Sequence, residues 1–246
     1  MRRIAITAAR GGSGKTTTAV TLAHGLALAG QRVLLVDCDP RRDVALHFGL
    51  APEAGLAAWL RGRPARAVEV RAGLRVLESG GAALEELETV LGADLGEEYR
   101  LRRALDNVRD ADVVILDCPA GFGPLVRSAL RASTEVLLVA SADHMGLCAA
   151  TQALERIART AGAGDQPLRV LGVLPTLYDA KAPTAAEVDL LLARHHAGRL
   201  LQTRIALCDA LRAAPARHGT IFDAEPLSRA ALDYVQLTEE VLATAA

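Results

Sequence analysis

Residues 4–17 read Ile-Ala-Ile-Thr-Ala-Ala-Arg-Gly-Gly-Ser-Gly-Lys-Thr-Thr, and this stretch decides the fold. A short apolar run is followed by a glycine-rich loop, and a helical pattern begins directly after the loop. Glycines let the backbone curl so that several N–H groups converge on one anion, and the positive end of the following helix attracts the same anion. In such a loop Lys15 reaches the β- and γ-phosphates of a nucleotide, and the Thr16 hydroxyl ligates Mg²⁺. The stretch therefore predicts a phosphate loop that binds ATP with Mg²⁺, although Ala9 replaces the first glycine of the general pattern.

Lysine is rare in this chain, which strengthens the assignment of the loop. Of the 28 basic residues only Lys15 and Lys181 are lysines, so arginine is used wherever a positive charge alone is enough. A lysine at the one position that needs a compact ammonium group is evidence against a chance match to the motif.

Short apolar runs alternate with helical patterns along the chain. The runs are apolar at almost every position, which is typical of parallel strands covered by helices on both faces. They lie at 4–7, 33–36, 113–116, 136–139 and 170–174, with weaker candidates at Leu74–Leu77 and 200–203. Helical patterns span 16–29, 125–132, 146–161, 184–195 and 227–242. This alternation predicts an α/β fold, a doubly wound, mostly parallel sheet with helices on both faces, and we expect residues 1–246 to form a single P-loop domain.

Acidic residues follow two of the predicted strands. Asp37 and Asp39 end the second run, and Asp117 ends a later one. In doubly wound sheets ligands bind at the carboxyl ends of the strands. Carboxylates at that edge can hold Mg²⁺, directly or through water, or can orient an attacking water molecule. One such aspartate would be interpreted as a helix cap or a turn residue, but three of them beside a phosphate loop favour a role at the nucleotide.

The composition argues against several functional classes. The net charge is −1, so binding to nucleic acid or to a membrane would need a local patch. No apolar run approaches the length of a membrane span and no secretory segment is evident, which predicts a soluble, cytoplasmic protein without a membrane partner. The four cysteines are scattered and form no CxxC pair, so we expect free thiols and not zinc ligands or disulfides.

The segment Arg10-Gly11-Gly12-Ser13-Gly14-Lys15-Thr16-Thr17 resembles the deviant Walker A loop of the ParA/MinD ATPases, and the resemblance covers nearly the whole chain. Residues 33–40 resemble the Walker A′ segment of that family and residues 114–119 its Walker B segment. Residues 171–179 and 213–219 resemble late segments of ParA proteins, the second of them near the base. Within the family the chain as a whole is most similar to the short ParA/Soj-type chromosome-partitioning ATPases. The resemblance implies an ATP-sandwich homodimer in which the basic residue before the two glycines reaches the partner's nucleotide. That residue is Arg10 here, where the family has lysine.

The same resemblance implies roles for individual residues. The nucleotide would be bound by Arg10, Gly11, Gly12, Ser13, Gly14, Lys15, Thr16 and Thr17. Thr16, Asp37 and Asp117 would surround the metal, and Asp39 would orient the attacking water. Lys15, Asp39 and Arg10 are therefore the candidate catalytic residues.

The resemblance also implies a function. The implied protein is a switch that dimerises with ATP and hydrolyses it slowly to ADP and phosphate. A ParB-like partner would stimulate this hydrolysis, and the switch would act in DNA partitioning or in the positioning of a cargo. Non-specific DNA is a further implied partner, which would place the ATP form on the nucleoid. The arginines that could carry such binding late in the chain are Arg199, Arg204, Arg212, Arg217 and Arg229. Among them Arg212 and Arg217 are the candidate DNA-binding residues, although the family's DNA-contacting arginine aligns with Ala210, on a different helix face from Arg212.

Three other interpretations use the same scaffold. Nitrogenase-reductase-like iron–sulfur proteins share the loop, but their bridging cluster needs two cysteines per subunit, and none lies between Cys38 and Cys118. ATP-dependent synthetases that activate carboxylates, such as dethiobiotin or cobyrinate synthetases, need an acid-substrate pocket that the sequence does not reveal. A ParA-like ATPase that positions carboxysomes or chemoreceptor clusters would carry the same motifs. The sequence alone leaves the last two interpretations open.

Overall fold

The computed structural model describes residues 1–93, 96–162, 167–196 and 198–244. Its strands are β1 (Arg2–Thr7), β2 (Val33–Asp37), β3 (Val68–Arg71), β4 (Leu74–Leu77), β5 (Val113–Asp117), β6 (Glu135–Ser141) and β7 (Arg169–Thr176). The α-helices of the described residues are α1 (Lys15–Leu28), α2 (Asp43–His47), α3 (Gly55–Leu60), α4 (Ala82–Ala93), α5 (Arg100–Leu105), α6 (Pro124–Ala132), α7 (His144–Gly162), α8 (Ala185–His196), α9 (Asp209–Ala213), α10 (Ile221–Ala224) and α11 (Arg229–Ala243). Glu97–Tyr99 and Ala214–Arg217 form 3-10 helices.

The sheet is doubly wound and mostly parallel, which confirms the predicted fold class. Its strand order is β3-β4-β2-β5-β1-β6-β7. Every neighbouring pair is parallel except β3 and β4, which run antiparallel. Strands β2 to β5 lie on one side of β1, whereas β6 and β7 lie on the other. The topological switch point is therefore beside β1, and ligands bind outside the carboxyl ends of the strands at such a point.

Both faces of the sheet are buried, which explains why the strands are apolar at successive positions. Along β5, Val114 and Leu116 belong to the core on one face, which helices α4, α6 and α7 cover. Val113 and Ile115 belong to the core on the opposite face, beneath α1 and α11. Because alternate residues of a strand point to opposite faces, two covered faces require an apolar side chain at every position.

The carboxyl ends of β1, β2 and β5 lie side by side. The register pairs Ile6 with Asp117 and Asp37 with Asp117. The pairing continues past the strand ends, because the Cys38 N–H donates to the Asp117 carbonyl over 2.9 Å and the Gly121 N–H donates to the Ala8 carbonyl over 3.1 Å. The phosphate loop and the two acidic segments consequently meet at one edge of the sheet.

The strand predicted at 200–203 is wrong. Leu200 forms only an isolated bridge with Val173. The next backbone N–H groups are taken by a side chain instead of a strand, since the Glu240 carboxylate accepts from Gln202 N over 2.7 Å and from Thr203 N over 3.1 Å. A carboxylate on α11 therefore interrupts the pairing with β7, which the Leu201 N–H makes by donating to the Val173 carbonyl over 3.1 Å and the Ile205 N–H by donating to the Pro175 carbonyl over 2.9 Å.

The other predicted strands are confirmed, and the five predicted helices are found with no end shifted by more than two residues. Most of the elements that were not predicted from the sequence lie between β2 and β5, and they are β3 and helices α2 to α5. Within the described ranges no helix combines the length and the apolar character that crossing a bilayer would require.

Candidate nucleotide-binding site

The glycine-rich loop forms an open cradle between β1 and α1. Gly12 and Gly14 have φ angles of 77° and 78°, a backbone conformation that favours glycine. An added Cβ at Gly12 would meet no atom within 4 Å, so the space above the loop is free for a ligand. Gly14 caps the start of α1 without a side-chain hydrogen bond, which leaves the first N–H groups of the helix facing that space. The loop can therefore bind an anion through its backbone.

The cradle is held in place by β7. The Thr176 hydroxyl donates to the Ser13 carbonyl over 2.7 Å. The Ser13 hydroxyl in turn lies 3.2 Å from the Arg10 carbonyl oxygen, to which it donates. A cavity of about 250 Å³ opens above the loop, and it is lined by residues 10–17 together with Arg41, Asp43 and Ala120. All eight predicted nucleotide-binding residues thus line one cavity.

Lys15 lies folded onto an acidic partner. Its ammonium nitrogen is 2.9 Å from Asp117 Oδ1 and 3.2 Å from Thr16 Oγ1, and the residue is 6% exposed. Burial alone would lower the pKa of the Lys15 ammonium, but the Asp117 carboxylate outweighs this and raises it. The buried ammonium is therefore charged, and the ion pair keeps it at the floor of the cavity.

Asp37 and Asp117 lie side by side at the carboxyl ends of β2 and β5. Both residues are fully buried, and Oδ2 of each has no hydrogen-bond partner within the described ranges. Burial, reinforced by the charge of Asp117, raises the pKa of Asp37 well above its usual range. Unpartnered buried oxygens are costly, and a divalent cation would relieve that cost. Together with the Thr16 hydroxyl they form the oxygen donor set that suits Mg²⁺.

The protein groups alone do not complete a metal shell. In the part of the chain that the structure covers, no three His, Cys, Asp or Glu side chains are grouped so that they could hold a metal ion. Mg²⁺ is commonly bound through one or two carboxylates plus the phosphates of a substrate. The arrangement therefore fits a cation that binds together with a polyphosphate.

Asp39 is buried and bound by a neighbouring arginine. It is 2% exposed, and Nη2 of Arg41 lies 2.8 Å from its Oδ2. Burial would raise the pKa of the Asp39 carboxyl, but the hydrogen bonds from Arg41 reverse the effect and lower it. Sequence reasoning assigned a role to Asp39 and none to Arg41, because the contact depends on a side-chain rotamer that the motif does not specify.

Arg10 is exposed at the rim of the cavity. Its charge is among the causes that lower the pKa of the Asp143 carboxyl, although burial acts in the opposite direction and the hydrogen bonds to Asp143 act more strongly. The side chain is therefore placed at the outer edge of the site, where it can face either the cavity or a molecule that covers it.

A second cavity, of about 260 Å³, lies beside the loop and is bordered by Gly12 and Gly14. Its walls are mostly apolar and include Thr17, Thr176, Ile205, Leu211, Arg212 and Tyr234. Leu177, which also lines it, has a φ of 54°, a strained value for a branched residue. An apolar slot next to a phosphate cradle can hold a planar base. Most of this wall was missed from the sequence, where only the similarity of residues 213–219 to a segment near the base indicated it.

Two of the five late arginines are paired with carboxylates. Arg204 pairs with Asp189 and lies over the Tyr178 ring, 4.9 Å from its centroid. Arg229 Nε lies 2.8 Å from Asp233 Oδ1. Each of these two arginines therefore has a carboxylate beside it that offsets its charge, which the sequence analysis did not take into account. Arg212 and Arg217 are exposed, Arg212 at the rim of the apolar cavity and Arg217 in the 3-10 helix Ala214–Arg217, and their role in DNA binding stays a prediction.

Known proteins are similar to this chain in sequence and in fold. A family model described as an AAA domain (AAA_31) matches residues 1–169. The chain is 34% identical to the chromosome-partitioning ATPase Soj of Thermus thermophilus over 99% of its own length and 96% of that protein. The cobyrinic acid a,c-diamide synthase of Mycobacterium smegmatis, solved with an ATP analog and magnesium, is 28% identical with a TM-score of 0.83, over 98% of this chain and 94% of that one. The cell division ATPase MinD of Pyrococcus furiosus is 25% identical with a TM-score of 0.80, over 99% of each chain.

Proposed function

Since the chain belongs to the ParA/MinD family of ATPases, close to its Soj-type partitioning members, we propose that it is an ATP-dependent switch that dimerises with ATP and separates after hydrolysis to ADP and phosphate. Its task is to partition DNA or to position an intracellular cargo in the cytoplasm, within a single domain of residues 1–246. The observation that carries the proposal is the set of Lys15, Thr16, Asp37 and Asp117 beneath an open glycine loop.

ATP binding would rearrange the floor of the cavity. The phosphates lie on the loop N–H groups, the base enters the apolar cavity, and Lys15 moves from Asp117 to the β- and γ-phosphates. The carboxylate oxygens of Asp37 and Asp117 and the Thr16 hydroxyl are then available to hold Mg²⁺, which supplies neutralisation of charge on the phosphate oxygens. The Mycobacterium smegmatis synthase, which is 28% identical to this chain, has been solved with magnesium and either an ATP analog or ADP, and this supports binding of both groups here.

Hydrolysis would depend on Asp39 and on the partner subunit. Asp39 orients a water molecule in line with the γ-phosphate, while Arg10 reaches the nucleotide of the other subunit. We infer that turnover is slow until a ParB-like protein binds. The exposed position of Arg10 at the rim supports a contact across an interface.

We expect replacement of Arg10 with alanine to remove ATP-dependent dimerisation. ADP binding should be nearly unchanged, because Arg10 lies at the rim and Lys15 makes the contacts within the chain. The dimer formed with a non-hydrolysable ATP analogue and Mg²⁺ should weaken at least about tenfold, the effect of losing an interfacial arginine anchor. Light scattering across a concentration series measures this change.

A matched control is Arg159→Ala, which removes a 76% exposed arginine late in α7. It should dimerise like the wild type. Normal dimerisation of Arg10→Ala would rule out a contact between Arg10 and the partner's nucleotide. A wild-type protein that stays monomeric with the analogue would contradict the switch itself.

We expect the ATP-bound dimer to bind duplex DNA without sequence preference, and the ADP form to release it. Fluorescence anisotropy over a salt series tests this, since phosphate contacts make affinity fall steeply with salt. Arg217→Ala should lower the salt slope by about one for each DNA phosphate that is no longer neutralised. Arg212→Ala should be studied beside it with nucleotide affinity measured separately, because Arg212 also borders the apolar cavity. Absence of ATP-dependent binding at low salt would exclude a nucleoid-based mechanism.

A second candidate function is ATP-dependent amide synthesis on a carboxylate substrate. The similarity to the Mycobacterium smegmatis synthase favours it. The relatives that support the partitioning switch match the chain over nearly its full length at 30 to 34% identity. An assay for amide products with candidate acids and an ammonia donor separates the two, because a switch releases phosphate without forming an amide.

A further inference from the structure

Arg41 occupies an unusual position, because it touches Asp39 and also lines the phosphate cavity. Its Nε lies 3.2 Å from each carboxylate oxygen of Asp39, and its Nη2 lies 2.8 Å from Oδ2. The Arg41 side chain is nevertheless 61% exposed, whereas that of Asp39 is 3% exposed. The guanidinium therefore lies between the buried Asp39 carboxylate and the cavity in which a triphosphate would lie.

The contact does not serve to hold distant parts of the fold together. Among the residues that the structure describes, the ion-pair partners of Arg41 are Asp39 and, at 3.5 Å, Asp43, both within two residues of it in the chain. The adjacent Arg42 is the opposite case, because its Nε lies 2.7 Å from Glu78 Oε2 and joins the loop to the end of β4. The pair offsets the charge of the buried Asp39 carboxylate, but the guanidinium itself stays largely exposed at the cavity. Arg41 therefore remains accessible to an anion that enters the cavity.

An arginine in this position faces two competing acceptors. A guanidinium fork binds either a carboxylate or a phosphate in a bidentate manner. The γ-phosphate carries more charge than a carboxylate, and Arg41 borders the cavity with Lys15 and Arg10. The Arg41 backbone N–H also donates to Asp39 Oδ1 over 3.1 Å, so Asp39 would keep its orientation after the side chain leaves.

We propose that Arg41 senses the γ-phosphate within its own chain. Without ATP it covers both oxygens of Asp39. With ATP it moves to the γ-phosphate and leaves Asp39 free to accept a hydrogen bond from the attacking water. This inference rests on the proposed ATP site and adds a residue to it that selects ATP over ADP.

Nucleotide affinities of Arg41→Gln test the proposal. The affinity for a non-hydrolysable ATP analogue with Mg²⁺ should fall about tenfold or more, because a charge-assisted bidentate hydrogen bond disappears. The affinity for ADP should change less than about twofold, since ADP has no γ-phosphate. Arg41→Lys should fall between the two, because it keeps the charge and loses the fork. Arg159→Gln is the control at a remote exposed arginine and should leave both affinities unchanged.

The Arg41→Gln substitution also uncovers the Asp39 carboxylate, whose negative charge would repel the γ-phosphate and lower the affinity for ATP. Placing Arg41→Gln in an Asp39→Asn background removes this repulsion. In this background Arg41→Gln should still reduce ATP-analogue affinity selectively. An equal loss for both nucleotides, an unchanged ratio, or full recovery of the ratio in the Asp39→Asn background would each overturn the contact between Arg41 and the γ-phosphate. A wild-type protein that binds neither nucleotide would instead contradict the proposed function.

Discussion

Replacement of Lys15 with alanine should weaken ATP binding about 100-fold or more, because at least two charge-assisted hydrogen bonds to the phosphates disappear. Calorimetry with a non-hydrolysable ATP analogue and Mg²⁺ measures the loss. The structure predicts a second consequence. The Lys15 ammonium lies 2.9 Å from the fully buried Asp117 carboxylate, so its removal leaves a buried charge without its partner. The midpoint of thermal unfolding should therefore fall as well.

Lost stability and lost binding can be separated with a double variant. Lys15→Ala combined with Asp117→Asn removes both charges and should recover most of the unfolding midpoint. Because the phosphate contact is still missing, ATP affinity should remain low. ATP binding at wild-type strength in folded Lys15→Ala would show that the phosphate site has been assigned to the wrong residues.

The sequence was sufficient for the parts of the site that are local in the chain. The phosphate loop depends on consecutive residues, and its glycines and Lys15 are recognisable from spacing alone. Asp37 and Asp117 could be placed beside it because parallel strands end at a common edge, and the register indeed pairs the two residues. The class of the sheet and most of its strand positions were also predictable, because a run of apolar residues indicates a strand that is buried on both faces.

The apolar cavity could not be predicted in this way. Thr17, Leu211 and Tyr234 form its wall from three segments that are far apart in sequence, and each of them alone is an ordinary core or helix residue. The same reasoning applies to Arg204 and Arg229, whose charges are neutralised by Asp189 and Asp233. The sequence shows that a residue is charged but does not show which residue lies next to it in space. Helical spacing is an exception, because residues four apart on a helix are neighbours, as Arg229 and Asp233 are.

Replacement of Asp39 with alanine should separate binding from turnover. Loss of the residue that orients the attacking water should slow ATP hydrolysis about 100-fold or more, the usual range for a positioned acid or base. ATP affinity should be retained or should rise, because Arg41 loses its carboxylate partner and becomes free for the γ-phosphate. The variant should therefore accumulate as an ATP-bound dimer. Light scattering detects the dimer, and phosphate release measures hydrolysis on the same sample.

Asp110→Ala, at an exposed aspartate paired with Arg75, is the matched control and should hydrolyse ATP normally. Unchanged turnover in Asp39→Ala would exclude the water-orienting role. Slow turnover together with a large loss of ATP affinity would mean that Asp39 contributes to binding and not to the transition state, and the switch would then need another residue to time its release.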